Sequence, residues 1–382
     1  MMTGDSHLST HPPLPPTTED DLVAWVRLLR SSRIGPATFF KLLSEQGSAQ
    51  AALAHLPERA KEAGLTEYTP CPAAVARAEL KRGRAAGARP VFHGSAEYPS
   101  ALNDLPDPPP MLWIKGDAAL LSRPTLSLIG ARTASSLGLR MARRLAQDLG
   151  AEGFTIISGL ARGIDTAAHE GALPTGSVAI LPGGIDQPYP TLNADLMAQI
   201  AATGLLIAEE PPGTAPHPHH FPKRNRLVAA LSPALVVVEA ALKSGSLQTA
   251  RTALDLGRDI LAVPGHPFEL RAAGCNQLIR DGARLVTGAP DILAALSPME
   301  PLAPPAIIAR IPIPAPPPER RPWRQIAALH SQLLARLTHT PMTEDDLLRA
   351  TGATPSEAAP ALLELEMDGQ ITRQPGGFLS RK

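Results

Sequence analysis

Apolar residues along this chain fall into three successive patterns. From Thr18 to about Gly87 they recur at helical spacing. Leu22, Val23, Trp25, Val26, Leu28 and Leu29 follow an acidic start, Glu19-Asp20-Asp21, and Phe39, Phe40, Leu42 and Leu43 follow Ile34-Gly35-Pro36. That pattern predicts a small helical domain over 18–89. From Leu126 the apolar residues gather instead into short unbroken runs. Leu126–Ile129, Phe154–Ile157, Ser177–Leu181, Leu205–Glu209, Leu235–Glu239, Ile260–Val263 and Arg284–Val286 are separated by helix-like stretches. Runs of that kind suit strands buried on both faces, so seven strands alternating with helices predict one doubly wound, mostly parallel α/β sheet. Past residue 322 helical periodicity returns at Trp323–Leu337, Thr343–Thr351 and Ser356–Asp368, before a glycine-tipped hairpin over 369–379. Three helices and a hairpin predict a winged-helix module over 323–382.

Proline marks the segments between these patterns. Residues 1–17 are expected to be disordered, and 298–322 to form a semi-extended linker. The α/β domain is taken as 90–297, opening with a connector over 90–125. The prolines of that connector argue against a helix, and its apolar residues suggest an extended arm packed on the domain.

Composition narrows the function. Lys+Arg and Asp+Glu both total 36 in 382 residues, so no global field draws in a polyanion and any such binding must come from a local cluster. Aromatics make up 3%, which leaves few platforms for stacking a base. Cys71 and Cys275 are isolated and match no metal spacing, consistent with a reduced cytoplasmic setting. No eighteen-residue apolar run and no signal-peptide core is present, so no membrane association is expected.

The candidate chemistry lies at glycine turns that follow the strands, where backbone N–H groups and helix N-termini can face an anion. Two such turns carry an arginine: Gly130-Ala131-Arg132 and the turn around Arg162. The first is not G-x-G-x-x-G and no acidic residue follows the second strand, so a dinucleotide cofactor is unsupported and none is expected. Glu239 after Gly183-Gly184 suggests nucleotide hydrolysis only weakly, because the compact motif of such enzymes is missing; a carboxylate capping a helix is the competing account. The densest basic cluster runs from His217 to Arg226. With Phe221, Lys223, Arg224 and Arg226 it has the ingredients of a phosphate track with one stacking platform, set against a solvated loop whose arginines bind helix ends and sheet carboxylates. Its histidines sit in a proline-broken stretch without helical spacing, so no metal is expected. Ser244-Gly245-Ser246 could offer N–H groups and hydroxyls to a phosphate, or Ser246 could simply cap the following helix. Between the first two helices, Arg33-Ile34-Gly35-Pro36 is similar to a helix-hairpin-helix turn, although alone that signal is weak and simple packing between helices is the favoured account. In the tail, the helix before the wing carries Glu364, Glu366 and Asp368, so phosphate repulsion favours protein contact or a lost DNA role there.

Together, Leu128–Arg132, Ser158–Asp165 with Ala168-His169, Tyr189-Pro190 with Asn193, Phe221-Pro222 with Arg224-Asn225-Arg226, Ser244–Leu247 with Thr249-Ala250, and Val263–Gly265 with Gly274, Asn276, Leu278-Ile279 and Gly282-Ala283 resemble the DNA-processing protein A (DprA/Smf) family. The resemblance spans about residues 98–296, and the flanks are similar to the family's sterile-alpha-motif-like and winged-helix domains. It implies an extended Rossmann-like fold and a non-enzymatic cytoplasmic protein. Such a protein binds single-stranded DNA in natural transformation, protects it, loads RecA recombinase onto it and forms a homodimer through the α/β domain. Carried over by position, the DNA-binding residues would be Gly130, Arg132, Arg162, Phe221, Lys223, Arg224, Asn225, Arg226, Ser244, Gly245 and Ser246. Ala131 stands where the family usually has serine. Thr191 and Leu192 stand where relatives often place a lysine, a charge Lys223 could supply. The alternatives are a phosphoribohydrolase-like enzyme and a chromosome-maintenance adaptor acting through the tail.

Overall fold

The computed structural model describes residues 15–65, 67–296, 323–374 and 376–382. Residues 1–14 of the expected N-terminal tail and the expected linker over 298–322 lie outside them. The chain divides into two compact units, Met1–Pro298 and Met299–Lys382.

The first unit opens with four helices: α1 (Glu19–Leu29), α2 (Pro36–Gln46), α3 (Ala49–Glu62) and α4 (Ala73–Ala85). Thr18 and Asp21 form a capping box at the start of α1, and Gly47 ends α2 in the left-handed conformation that favours glycine. Next come β1 (Arg89–Phe92) and β2 (Met111–Gly116), then β3 (Thr125–Ile129), α5 (Ser136–Ala151), β4 (Thr155–Ser158), α6 (Ile164–Ala172) and β5 (Ser177–Leu181). The unit continues with α7 (Ala194–Thr203), β6 (Leu205–Ala208), α8 (His220–Ala230), β7 (Ala234–Val237) and α9 (Gly245–Asp255). It closes with β8 (Asp259–Ala262), α10 (Ala273–Arg280), β9 (Arg284–Leu285) and α11 (Ala289–Leu296).

The sheet has nine strands in the order β1-β2-β6-β5-β4-β3-β7-β8-β9. The seven expected strands are all present and mutually parallel. The connector differs from expectation: instead of a plain arm it supplies two antiparallel strands, β2 on the edge of β6 and β1 outside β2. Its prolines are tolerated because Pro90 lies on the outermost strand and the rest fall between strands. Two short 3-10 turns, Ser100–Asp104 and Ala118–Ser122, also fall in this stretch.

Along the parallel strands β3 to β8 alternate residues enter different cores. Ile129, Ile157, Ile180, Ile207 and Val237 pack with Leu227 of α8 and Leu247 of α9. On the opposite face Leu126, Leu128, Ile156 and Val236 pack with Leu145 of α5 and Ala168 of α6. That alternation is the physical content of a doubly wound sheet. The N-terminal helices share an apolar cluster with Met111 and Trp113 of β2 and Leu181 and Leu206 of the sheet. The Trp113 indole donates to Glu79 of α4 (3.3 Å), which also accepts from Arg30 (2.9 Å). Gly83 is required opposite that indole, since a Cβ there would overlap it.

The second unit contains α12 (Trp323–Arg336), β10 (Met342–Thr343), α13 (Glu344–Thr351), α14 (Pro355–Met367), β11 (Ile371–Gln374) and β12 (Phe378–Arg381). Its sheet runs β10-β12-β11 around a core including Leu333, Leu347, Leu362, Leu365 and Leu379. This is a winged helix. Strand β10 escaped the sequence reading because it is two residues long and adjoins the cap of α13.

Candidate functional site

The chain fills the sheet outward from β3 to β6 and then returns to place β7 against the other side of β3. The order in which strands are added thus reverses between the parallel strands β3 and β7, and the loops leaving them part to form a crevice at their carboxyl ends. A pocket of about 510 Å³ lies there, lined by residues that include Gly130, Arg132, Arg224, Asn225, Ser244 and Ser246.

Close backbone approach builds its floor. A Cβ on Gly130 would sit 2.5 Å from Ile164 and 2.9 Å from the Glu239 carbonyl. Gly163, at φ 82, presses against the Ala131 carbonyl, which accepts from Ile164 N (3.2 Å). The loop after β4 is held from within. Asp165 accepts from Gly159 N (3.2 Å) and Ala161 N (3.3 Å), and Asn193 donates to the Leu160 carbonyl (2.9 Å) and to Thr166 (2.9 Å). His169 Nε2 accepts from Leu160 N (3.2 Å) while its Nδ1 meets the Ser177 hydroxyl (2.7 Å). Burial, and next to it the charge of Arg224, pull the His169 pKa down to about 3, so the ring is neutral and serves as a hinge pin for the loop. These polar residues of the Ser158–Asp165 motif therefore build the pocket wall.

The basic segment is not the proline-broken loop expected from the sequence. It is the first two turns of α8, because Pro222 falls in the opening turn, where its missing N–H costs nothing. A helix turns its cations to different sides. Arg224 points inward, 5% exposed, and donates to the Gly159 carbonyl and to the Ile180 carbonyl (3.0 Å). Burial lowers its pKa to about 10, against the opposing pull of Asp165, so it stays charged at neutral pH. The same burial raises the Asp165 pKa, with Arg224 the chief force against it. Arg226 turns away from the pocket to Glu209 (2.8 Å) and Asp107 (3.5 Å). Lys223 is exposed and pairs with Glu210 (3.3 Å). The two accounts weighed for this segment thus divide between residues: Arg224 lines the crevice, whereas Arg226 binds a strand-end carboxylate.

Arg132 is exposed, and its guanidinium lies 5.0 Å from the centre of the Phe221 ring, a cation–π distance. Tyr189 meets that ring from another side at 5.3 Å. Arg162 lines a smaller depression of about 270 Å³ together with Arg132, Tyr189 and Leu192. Ser244 is the N-cap residue of α9 yet makes no side-chain cap bond, and its buried hydroxyl has no partner among the described residues. Ser246 does not cap the helix either; it donates to the Gly130 carbonyl (2.8 Å) and ties the two loops together. The N-terminus of α9 therefore opens into the pocket with its N–H groups free of a side-chain cap. Seven of the eleven predicted residues, Gly130, Arg132, Arg224, Asn225, Ser244, Gly245 and Ser246, line this one pocket. Sequence reasoning missed Arg271, which also lines it; an isolated arginine after a glycine-proline turn gave no signal. Glu239 accepts from Ser135 N (2.8 Å) and from the Ser135 hydroxyl, so this carboxylate holds the start of α5.

Among the described residues no group of three or more His, Cys, Asp or Glu side chains is placed to hold a metal ion. No helix among them is long and apolar enough to cross a membrane.

Residues 89–297 match the family model described as DNA recombination-mediator protein A. Residues 19–81 match a DprA-like N-terminal HHH domain, and residues 312–377 a DprA winged helix domain. The chain is 41% identical to the DNA processing protein DprA of Streptococcus pneumoniae over 199 residues, 52% of this chain and 70% of that one. It is 37% identical to Protein Smf of Escherichia coli over 289 residues, 74% of each chain. Its fold superposes on the X-ray structure of the S. pneumoniae protein with a TM-score of 0.60 at 31% identity, covering 72% of this chain and 96% of that chain. A second match, with TM-score 0.51 at 32% identity over 55% of this chain and 95% of the other, is DNA processing protein A from Helicobacter pylori, whose structure concerns its single-stranded DNA binding mode. With a matching family model over more than half its length and the glycine turns, the buried arginine and the S-G-S turn gathered in one crevice, the chain belongs to the DNA-processing protein A (DprA/Smf) family.

Proposed function

We propose that this protein binds single-stranded DNA along the carboxyl edge of its sheet, protects it during natural transformation and passes it to RecA. The reading is of a cytoplasmic, non-enzymatic homodimer. What carries it is the crevice itself: an exposed Arg132, a charged Arg224, uncapped N–H groups of α9 and glycine turns that admit a backbone, all inside one cavity of about 510 Å³. Arg132 and Arg162 would neutralise phosphates at the rim, Lys223 would reach the strand from α8, and Arg224 would set the field at the base. Phe221, already covered by Arg132, supports that guanidinium as well as offering an edge to a base.

The rival reading, a nucleotide-hydrolysing enzyme, is weakened by the engagement of Glu239 with Ser135, which leaves it as a helix cap. In the tail, α14 carries Glu357, Glu364 and Glu366 with Leu363 and Met367 exposed, which favours contact with protein over contact with DNA.

Gel-shift series with single-stranded and duplex oligonucleotides, followed by addition of RecA, test this reading. Single strands should shift and duplexes should not, and RecA filaments should form faster on the pre-bound strands. Equal affinity for duplex, or release of free base from nucleoside monophosphates, contradicts it.

A further inference from the structure

Phe268 is the most exposed large apolar side chain of the protein's described residues, at 92%. It sits in the loop between β8 and α10, beside Leu270 at 80%. An exposed phenylalanine costs solubility, and the loop that holds it is not slack. Asn276 accepts from Gly265 N (3.1 Å) and donates to Gly265 O (2.9 Å). Glu269 N donates to the His266 carbonyl (2.9 Å) and Ala272 N to the Glu269 carbonyl (2.9 Å), while Phe268 N donates to His266 Nδ1 (3.3 Å). The His266 ring lies 5.5 Å from the Phe268 ring. The loop thus presents to solvent an aromatic pair held by its own hydrogen bonds.

Its position gives that pair a use. The same loop contributes Arg271 to the crevice described above. On its other side it borders a second cavity of about 630 Å³, where His266 and Glu269 face Leu137, Arg140 and Met141 of α5. That cavity is apolar in its walls, and Arg140 stands at it exposed and with no ion pair among the described residues. The carboxylates that border it are already engaged, Glu239 by Ser135 (2.8 Å) and Glu269 by Arg271 (3.6 Å). Phe221, by contrast, is half-buried and already meets Arg132 (5.0 Å) and Tyr189 (5.3 Å).

We infer that the loop over 264–272 extends the nucleic-acid path: a single strand leaving the crevice past Arg271 stacks a base on Phe268 and continues over the cavity beside Leu137, with Arg140 on its phosphates. This rests on the single-stranded DNA reading above. The commitment to nucleic acid over a protein partner follows from continuity with the crevice through Arg271, from the unpaired Arg140, and from an aromatic with an open face, which suits a base of any sequence.

The test uses the full chain, fluorescence anisotropy and two oligothymidylates, one short enough to fill only the first crevice and one long enough to pass beyond it. Phe268→Ala should weaken the long strand by roughly 5- to 150-fold, the range expected for one lost base stack, and leave the short strand unchanged. Phe268→Trp should restore long-strand binding. Because Phe268 is solvent-exposed, the melting temperature should not move, which checks folding. Arg132→Ala in the same series separates the two ideas. If it weakens both strands while Phe268→Ala alters neither, this extension is wrong and the crevice stands; if Arg132→Ala alters neither, the crevice reading itself fails. A Phe268→Ala protein that binds both strands normally but sediments as a smaller species makes the loop a contact between copies of the chain and overturns the inference.

Discussion

At the scale of single residues, the structure separates charges that look equivalent in the sequence. Arg132, Arg224 and Arg226 lie within motifs of one apparent purpose, but each meets different neighbours. Arg132 is exposed and lies over the Phe221 ring, Arg224 is sealed against two strand-end carbonyls, and Arg226 is spent on Glu209 and Asp107. No spacing rule foretells this, because a side chain's direction depends on the helix it sits on. The His169 ring is legible in the sequence only as part of a motif; its role as a neutral pin between Leu160 N and Ser177 depends on the fold that brings β5 beside the loop after β4. A consequence follows for acid stability. The folded pKa, about 3, lies below the ordinary value near 6.5, so the stabilisation from the neutral ring is complete above about pH 6.5 and is lost as the pH falls through that window toward 3. Urea unfolding should show stability lower by roughly 2 kcal/mol at pH 5 than at pH 7 from this one group, most of the loss falling below pH 6.5. Removing the ring with His169→Gln should flatten that part of the slope, and an unchanged slope would mean that the ring is charged or exposed in the folded protein.

At the scale of elements, unbroken apolar runs are what the sequence makes legible. Strands β3 to β8 can be read because a strand covered on both faces must be apolar, and Ser177–Leu181 matches to the residue, whereas β9 is two exposed residues long and reads only through the Leu285-Val286 pair. Strands β1 and β2 were hidden by the neighbouring prolines and by their antiparallel edge pairing, which needs no crossover helix to announce it. Helix α8 was hidden by Pro218 and Pro222, although a proline in the first turn is compatible with a helix. Helix α9 makes the sharpest prediction at this scale. The Ser244 hydroxyl is buried without a partner among the described residues, an arrangement that weakens a fold unless something binds there. Ser244→Ala should therefore leave the unligated protein as stable as before, or more stable by up to about 1 kcal/mol, while lowering affinity for single-stranded DNA. Thermal melts with and without oligonucleotide check both halves; loss of stability with unchanged affinity would make the serine a purely structural residue.

At the scale of the whole molecule, 36 cationic and 36 acidic side chains cancel, so any hold on a polyanion must be confined to a place where the balance is locally broken. Doubly wound topology supplies that place, since the parting of the loops after β3 and β7 brings together Gly130–Arg132, Ala241–Ser246 and, through α8, Arg224. The sequence could rank these turns as candidates, but only the strand order shows why they meet at a single crevice and why Arg226, two residues from Arg224, does not join them. The central claim is electrostatic and local, and a salt titration addresses it most directly. Single-strand affinity should be measured at several salt concentrations for the full chain and for Arg132→Ala. A logarithmic plot should fall steeply with salt, with a slope shallower by roughly 0.7 to 1 in the variant, because one phosphate contact is lost. An affinity indifferent to salt, or a variant whose slope and affinity match the parent, would contradict the account.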